Sequence, residues 1–260
     1  MPTLYTKWNS AKSYTVIKNI DIVLAPALYP FNKKYSTVVL IDVLRFTSTM
    51  TTALANGALC AETFANPETA LQEKSKDYDY KFVGEQSGNF IEGFHFNNSP
   101  VAMTPQNIGG RKLAFVTTNG TYMRSKIEHY ERIYAGCFLN GKALMNRLLE
   151  EHDNVQLICS GFHNKPAIED TLFAGMVADK LLKSGKYTYN DDIVPMCRML
   201  YKVAKVDIKK FVLKHSHTLW RIYNDNPNYR ADLDYAFRYN TYDVVPEEEE
   251  PYKFVVNHYV

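Results

Sequence analysis

The stretch at residues 37–57, TVVLIDVLRFTSTMTTALANG, decides how this chain reads. Thr37–Ile41 is an unbroken β-branched and aliphatic run that stops at Asp42, the pattern of a strand buried on both faces. Residues 49–56 then read as helix, and Gly57 stands where a left-handed C-terminal stop belongs. Strand, polar turn and helix together form the repeating unit of an α/β sheet.

Two later segments follow the same plan: KLAFVTTNGTYMRSKI from Lys112 and VQLICSGFHNKPAIEDTLFAGMVADKL from Val155. Between and around them the spacing predicts helices over 67–76, 120–129, 139–152 and 168–184, with Gly185 ending the last. Strands are predicted over 81–84, 111–116, 132–135 and 154–159. The expected fold is a three-layer α/β/α arrangement with a largely parallel or mixed sheet. The whole of 1–260 is read as one domain, in which 187–260 forms a mostly helical closure with segments near 192–203, 208–214 and 232–239. The acidic run Glu247–Glu250 reads as a solvated tail or turn.

Composition narrows the class. With 260 residues, 46% of them hydrophobic and 22% charged, disorder, collagen and small disulfide scaffolds are excluded. A net charge of +2, from 30 basic and 28 acidic residues, gives no reason to expect a nucleic-acid partner. Cys60, Cys137 and Cys159 sit in apolar surroundings and read as reduced core thiols, and no CxxC spacing is present. The first residues lack the apolar stretch of a signal peptide, and no run reaches the roughly 18 apolar residues of a membrane helix. The expected setting is the cytoplasm, with no membrane partner. An isologous homodimer is the base-rate assembly.

Three polar loops at strand ends suggest a site, because ligands of open α/β sheets bind at the carboxyl ends of strands. Thr117, Thr118, Asn119, Gly120 and Thr121 would make the best phosphate cradle, although Ser, Thr and Asn also start helices for purely local reasons. Asp42 can hold Mg²⁺, attack phosphorus or merely cap a helix. Arg45, three residues on, offers a fork that matches phosphate or sulfonate oxygens. Glu85, Glu169 and Asp170 complete a carboxylate set of the kind that takes Mg²⁺ together with waters and substrate oxygens. His163 is a candidate substrate contact. His215 and His217 are weak candidates for a metal. GxGxxG, GxxxxGK[ST], HExxH and GxSxG motifs are absent.

In this order, VVLIDVLRFTSTMTTALANGA, GEQSGNFIEGFHFNNSP, TTNGTYM, AGCFLN and IEDTLFAG resemble the 2-phosphosulfolactate phosphatase family, the ComB-like proteins. ADLDYAFRYNTYDVVP, from Ala231, is a weaker echo of that family's closing segment. The resemblance implies an α/β/α fold and a Mg²⁺-dependent acid phosphatase that converts 2-phospho-3-sulfolactate to sulfolactate. Matched position by position, it implies functional roles for Asp42, Arg45, Glu85, Asn98, Ser99, Thr117 to Thr121, Glu169 and Asp170. The chain departs from the family pattern at Gln86, His95, Asn97 and Tyr122, two of which replace arginines, so phosphate chemistry is a firmer expectation than the exact substrate. Two rivals stand beside this reading. One is a non-catalytic protein that binds small anions on the same fold. The other is a haloacid-dehalogenase-type phosphatase, against which Leu44 counts because that family needs a second Asp there.

Overall fold

Successive side chains of a strand point to opposite faces of its sheet, so β2 (Thr37–Ile41) demands cover on both sides. Val39 and Ile41 enter one apolar cluster with Phe138, Leu157, Leu172 and Val177. Val38 and Leu40 enter another with Phe46, Met50, Phe115 and Met123. The outcome is the expected three-layer α/β/α arrangement. The structure, a computed structural model, describes residues 17–30, 35–74, 76–128, 130–151 and 153–257. The reading of residues 1–16 and the helix ends placed at His129 and His152 lie outside these.

The strands are β1 (Lys18–Val23), β2, β3 (Cys60–Thr63), β4 (Tyr80–Gln86), β5 (Asn89–Phe90), β6 (Lys112–Val116), β7 (Arg132–Gly136), β8 (Val155–Cys159), β9 (Tyr187–Thr188), β10 (Glu247–Glu250) and β11 (Lys253–Val255). They form one sheet in the order β5-β4-β6-β3-β11-β10-β7-β2-β8-β1-β9. Two parallel half-sheets, β4-β6-β3 and β7-β2-β8-β1-β9, are joined by the antiparallel β10–β11 hairpin. In it β11 pairs with β3, and β10 pairs with β7 at Glu247 and Tyr134.

This overturns the reading of Glu247–Glu250 as a solvated tail or turn. The run is a strand inside the sheet, and Glu248 is buried against Arg124, with side chains 2% exposed on both partners. Arg124 Nε and Nη2 fork onto the Glu248 carboxylate, which also takes the Tyr130 hydroxyl. Sequence proximity could not reveal a partner 124 positions away.

The helices are α1 (Phe46–Ala55), α2 (Pro67–Lys74), α3 (Pro105–Ile108), α4 (Gly120–Lys126), α5 (Gly141–Glu150), α6 (Ile168–Lys183), α7 (Ile193–Ala204), α8 (Ile208–His215), α9 (His217–Asp225) and α10 (Pro227–Ala236). Helix α1 starts earlier than its propensities suggest. Its buried hydroxyls return to the backbone: Ser48 Oγ donates to the Val43 carbonyl (2.8 Å), Thr49 Oγ1 to Arg45 (2.9 Å) and Thr52 Oγ1 to Ser48 (2.8 Å). A Thr- and Ser-rich helix can therefore be buried without orphaned hydroxyls. Gly57 (φ +94°) and Gly185 (φ +72°) adopt the left-handed conformation expected of helix stops.

Strand β1 was invisible in the sequence because Asp21 interrupts its apolar pattern. The structure satisfies that carboxylate with the Tyr35 hydroxyl (3.0 Å) and Gln156 Nε2 (2.9 Å). All four cysteines are free and buried, in keeping with the thiol reading. Among the described residues no helix is long and apolar enough to cross a membrane.

Candidate active site

The carboxyl ends of β2, β4, β6 and β8 meet in one place. In a flat sheet, strands spaced about 4.8 Å apart would leave β2 and β6 roughly 24 Å from each other, since β3, β11, β10 and β7 lie between them. Yet a Cβ placed on Gly120, just after β6, would lie 2.7 Å from Asp42 Oδ2 and 2.3 Å from the Phe46 ring. The loops that follow β2 and β6 therefore converge over this point.

The resulting cavity holds about 430 Å³, within the range of small-molecule sites. Of the residues nominated by sequence, Asp42, Arg45, Glu85, Asn98, Thr118, Asn119, His163 and Glu169 line it. Asp42 leaves β2 in a fixed turn: Phe46 N–H donates to its Oδ1 (3.1 Å), and its own N–H donates to Thr47 Oγ1 (3.1 Å). Glu169 arrives from the first turn of α6.

Thr117, Gly120, Thr121, Ser99 and Asp170 stand behind this wall. Thr117 and Thr121 close the loop on themselves, each amide donating to the other's hydroxyl at 3.0 Å. The Asp170 carboxylate accepts from the Val43 amide (2.9 Å) and the Gly161 amide (3.1 Å), stapling the β2 loop to the β8 loop. The Thr118 amide is not open to an anion either. It donates to Glu85 Oε1 (2.8 Å), while Glu85 Oε2 accepts from Thr118 Oγ1 (2.8 Å) and the Gly88 amide (2.7 Å).

The sequence reading missed the wall supplied by the C-terminal third. Ser216, Thr218, Leu219, Ile222 and Tyr229 line the cavity, as do Leu44, Phe162, Lys165 and Ile168; His215, weighed in the sequence only as a metal candidate, lines it too. Asp232 of α10, buried at 2% exposure, pairs with Arg45 Nη1 at 2.5 Å and accepts from Ser99 Oγ at 2.5 Å. The Arg45 guanidinium also lies 4.5 Å from the Tyr229 ring centre, and its Nη2 donates to Asn97 Oδ1 at 3.5 Å. Arg45 is thus held rigid by α10. The one sequence signal for this was the ADLDYAF echo that begins at Ala231 and contains Asp232.

The family departures fall mostly outside the cavity. Gln86 is exposed, and Tyr122 is 42% exposed beneath the Lys126 ammonium. His95 stacks on Phe82 and accepts from its amide at 3.0 Å.

Electrostatics mark the acids as unusual. Burial pushes Asp42 well above the ordinary carboxylate range, to about 7; the Glu85 charge adds to this, against the Phe46 amide and the Arg45 cation. Glu169 rises to about 7 through burial and the Asp42 charge. Asp170 is raised by burial, then by the charges of Glu169 and Asp42. Such groupings of perturbed acids in a cleft characterise functional sites.

The fit to a divalent cation follows from the donors. Among the described residues no three His, Cys, Asp or Glu side chains form a metal cage. The cavity nevertheless carries the Asp42 and Glu169 carboxylates and the buried Asn98 Oδ1, which has no hydrogen-bond partner. An oxygen-only set with one or two carboxylates, leaving positions for water and substrate, is how Mg²⁺ is held. Glu85 fits this role less well because both its oxygens are already engaged.

Buried acids that want a cation, beside an immobilised arginine and a Thr-Asn loop, are the equipment of enzymes that process phosphate esters. The chain belongs to the 2-phosphosulfolactate phosphatase family, whose model, described as 2-phosphosulpholactate phosphatase, matches residues 23–251. A relative from Caldanaerobacter subterraneus subsp. tengcongensis is 32% identical over 82% of this chain and 88% of its own length. Relatives from Microcystis aeruginosa (32%) and Clostridium novyi (33%) each cover 89% of this chain and 97% of their own. All three carry the name probable 2-phosphosulfolactate phosphatase. The protein is accordingly a phosphatase, and a metal cofactor is in keeping with that membership.

Gly120 supplies a direct probe of the geometry. The methyl of Gly120→Ala would press on both the Asp42 carboxylate and the Phe46 ring. Displacing a reacting group by about 1 Å costs roughly 100-fold. Steady-state kinetics of this variant are expected to show kcat down by about that factor while circular dichroism stays native. Unaltered kcat would mean that the Asp42 position does not matter.

Proposed function

We propose that the enzyme hydrolyses the phosphomonoester of 2-phospho-3-sulfolactate, giving 3-sulfolactate and phosphate, with Mg²⁺ as its cofactor and the cytoplasm as its setting. The observation that carries this reading is the meeting of Asp42, Glu169, Arg45, Asn98 and Asn119 in one cavity from separate strand ends.

Arg45, locked by Asp232 and Tyr229, presents a fixed cation to the phosphoryl oxygens, so little conformational entropy is lost when substrate binds. Asn119 contacts the same group from the β6 loop, while Thr118, spent on Glu85, shapes the wall beside it. Asp42, Glu169 and Asn98 are the residues that would hold Mg²⁺, which when bound polarises phosphoryl oxygens and offsets developing charge. Glu169 holds a proton near neutral pH while the site is metal-free and would release it on becoming a ligand, so the leaving alkoxide oxygen takes its proton from solvent rather than from Glu169. Asp170 positions rather than reacts, since its oxygens are spent on backbone amides. Attack by water and attack by the Asp42 carboxylate both suit this arrangement. Acid quench of labelled substrate separates them, because only the second leaves a phosphoenzyme.

Phosphate release from 2-phospho-3-sulfolactate, with and without Mg²⁺, is the test. Turnover abolished by chelation and restored by Mg²⁺ is the expected result. Ligand-induced thermal stabilisation with no phosphate release under either condition would favour the non-catalytic anion binder.

A second expectation follows from the raised acids. Their folded-state proton affinity exceeds the unfolded value, so the folded state retains protons longer and loses stability as pH rises from about 4 through about 7. The metal-free protein is expected to melt at a higher temperature at pH 5.5 than at pH 8. Added Mg²⁺ should raise the midpoint more at pH 8, where the carboxylates are ionised. Differential scanning fluorimetry checks both; a metal effect of equal size at the two pH values would count against these acids as ligands.

A further inference from the structure

We infer that Lys165, displayed by a rigid turn at the cavity mouth, is the recognition site for the carboxylate of the substrate. The inference rests on the proposed function for the phosphate end of the same cavity.

The charge inventory is the first argument. The cations lining the cavity are Arg45 and Lys165, with His163 and His215 as imidazoles. Arg45 is buried and already paired with Asp232. The lining acids Asp42, Glu85 and Glu169 repel a further anion. Lys165 makes no ion pair among the described residues and is exposed, whereas Asp42 and Glu169 are buried. A substrate that places its phosphate inward among the buried groups leaves its carboxylate for this ammonium.

The backbone is the second argument. The Phe162 amide donates to the Lys165 carbonyl at 2.8 Å, and the Lys165 amide donates to the Phe162 carbonyl at 3.0 Å. The two residues between them, His163 (φ +50°) and Asn164 (φ +60°), are both left-handed. Paired bonds around two positive-φ residues make a type I′ turn, the tightest two-residue reversal available, and Asn is favoured in it. Gly161 (φ +63°) precedes it, and a Cβ there would lie 2.4 Å from the Lys165 carbonyl oxygen. Asp170 anchors the Gly161 amide from α6. Left-handed backbone at non-glycine residues is uncommon and concentrates at functional sites. Here its effect is to fix the point from which the Lys165 side chain departs.

The test compares Lys165→Gln and Lys165→Arg with the unaltered enzyme on three phosphomonoesters: 2-phospho-3-sulfolactate, phosphoglycolate, which carries a carboxylate, and phenyl phosphate, which carries no second anion. A lost charge-assisted contact corresponds to about 10- to 100-fold. KM for the two carboxylate-bearing esters is expected to rise by about that factor in Lys165→Gln, with kcat changed little. KM for phenyl phosphate should stay within about threefold, and Lys165→Arg should recover most of the loss. Equal losses on all three esters, or no loss on phosphoglycolate, overturn the inference. Failure of the unaltered enzyme on 2-phospho-3-sulfolactate would instead defeat the proposed substrate, while the phosphoglycolate-to-phenyl-phosphate ratio would still decide the role of Lys165.

Discussion

Asp42→Asn is expected to lower kcat by about 10³-fold or more while raising the melting temperature of the metal-free protein. Removing one electrostatic stabiliser from a dry site commonly costs 10²–10³-fold, and Asp42 is asked to do more than one such contact. The amide is nearly isosteric, and its oxygen can still accept the Phe46 N–H, so the turn between β2 and α1 keeps its geometry. What disappears is a buried negative charge whose proton affinity is raised by desolvation and by Glu85. A carboxylate retained at a cost in stability is a group kept for function. Phosphate-release kinetics and scanning fluorimetry on the same preparation decide the matter. Near-normal turnover would remove Asp42 from the chemistry, and a collapse in melting temperature would assign it to the fold instead.

The second large effect concerns folding. Arg124→Ala is expected to destabilise the protein by about 3–5 kcal/mol, because it strands the Glu248 carboxylate inside the sheet without its cation. For a chain of this size that corresponds to a fall of roughly 5–10 °C in melting temperature, and to a large part of the 5–15 kcal/mol that typically holds a domain together. The loss should appear even though Arg124 does not line the active-site cavity, since Glu248 belongs to the hairpin that joins the two half-sheets. The double variant Arg124→Met with Glu248→Leu should recover much of the stability, because neither charge is then left buried and alone. A double variant as unstable as the single one would show that the charges themselves hold the hairpin in place.

These two expectations lie on opposite sides of what the chain reveals when read in one dimension. Local patterns carried the strand Thr37–Ile41, the paired plans beginning at Lys112 and Val155, the helix stops at Gly57 and Gly185, and hence the α/β/α class. Hydrophobic periodicity is set by which faces are covered, and cover on both faces leaves a continuous apolar run that can be seen without coordinates. The motifs also located Asp42, Glu169, Arg45 and Asn119, because acids and polar loops at strand ends follow directly from where such sheets bind ligands.

Tertiary structure decided the rest. The fate of Glu247–Glu250 depended on Arg124, and the interrupted β1 depended on Tyr35 and Gln156; a charged residue reads as solvent-facing until its distant partner is known. Only the folded chain showed that Asp232 and Tyr229 immobilise Arg45, that Glu85 is spent on Thr118 and Gly88, and that Asp170 staples two loops. These are contacts between side chains far apart in sequence, brought together where the loops at the strand ends converge. Periodicity reports the environment of a residue, and it carries no information on which particular neighbour supplies that environment.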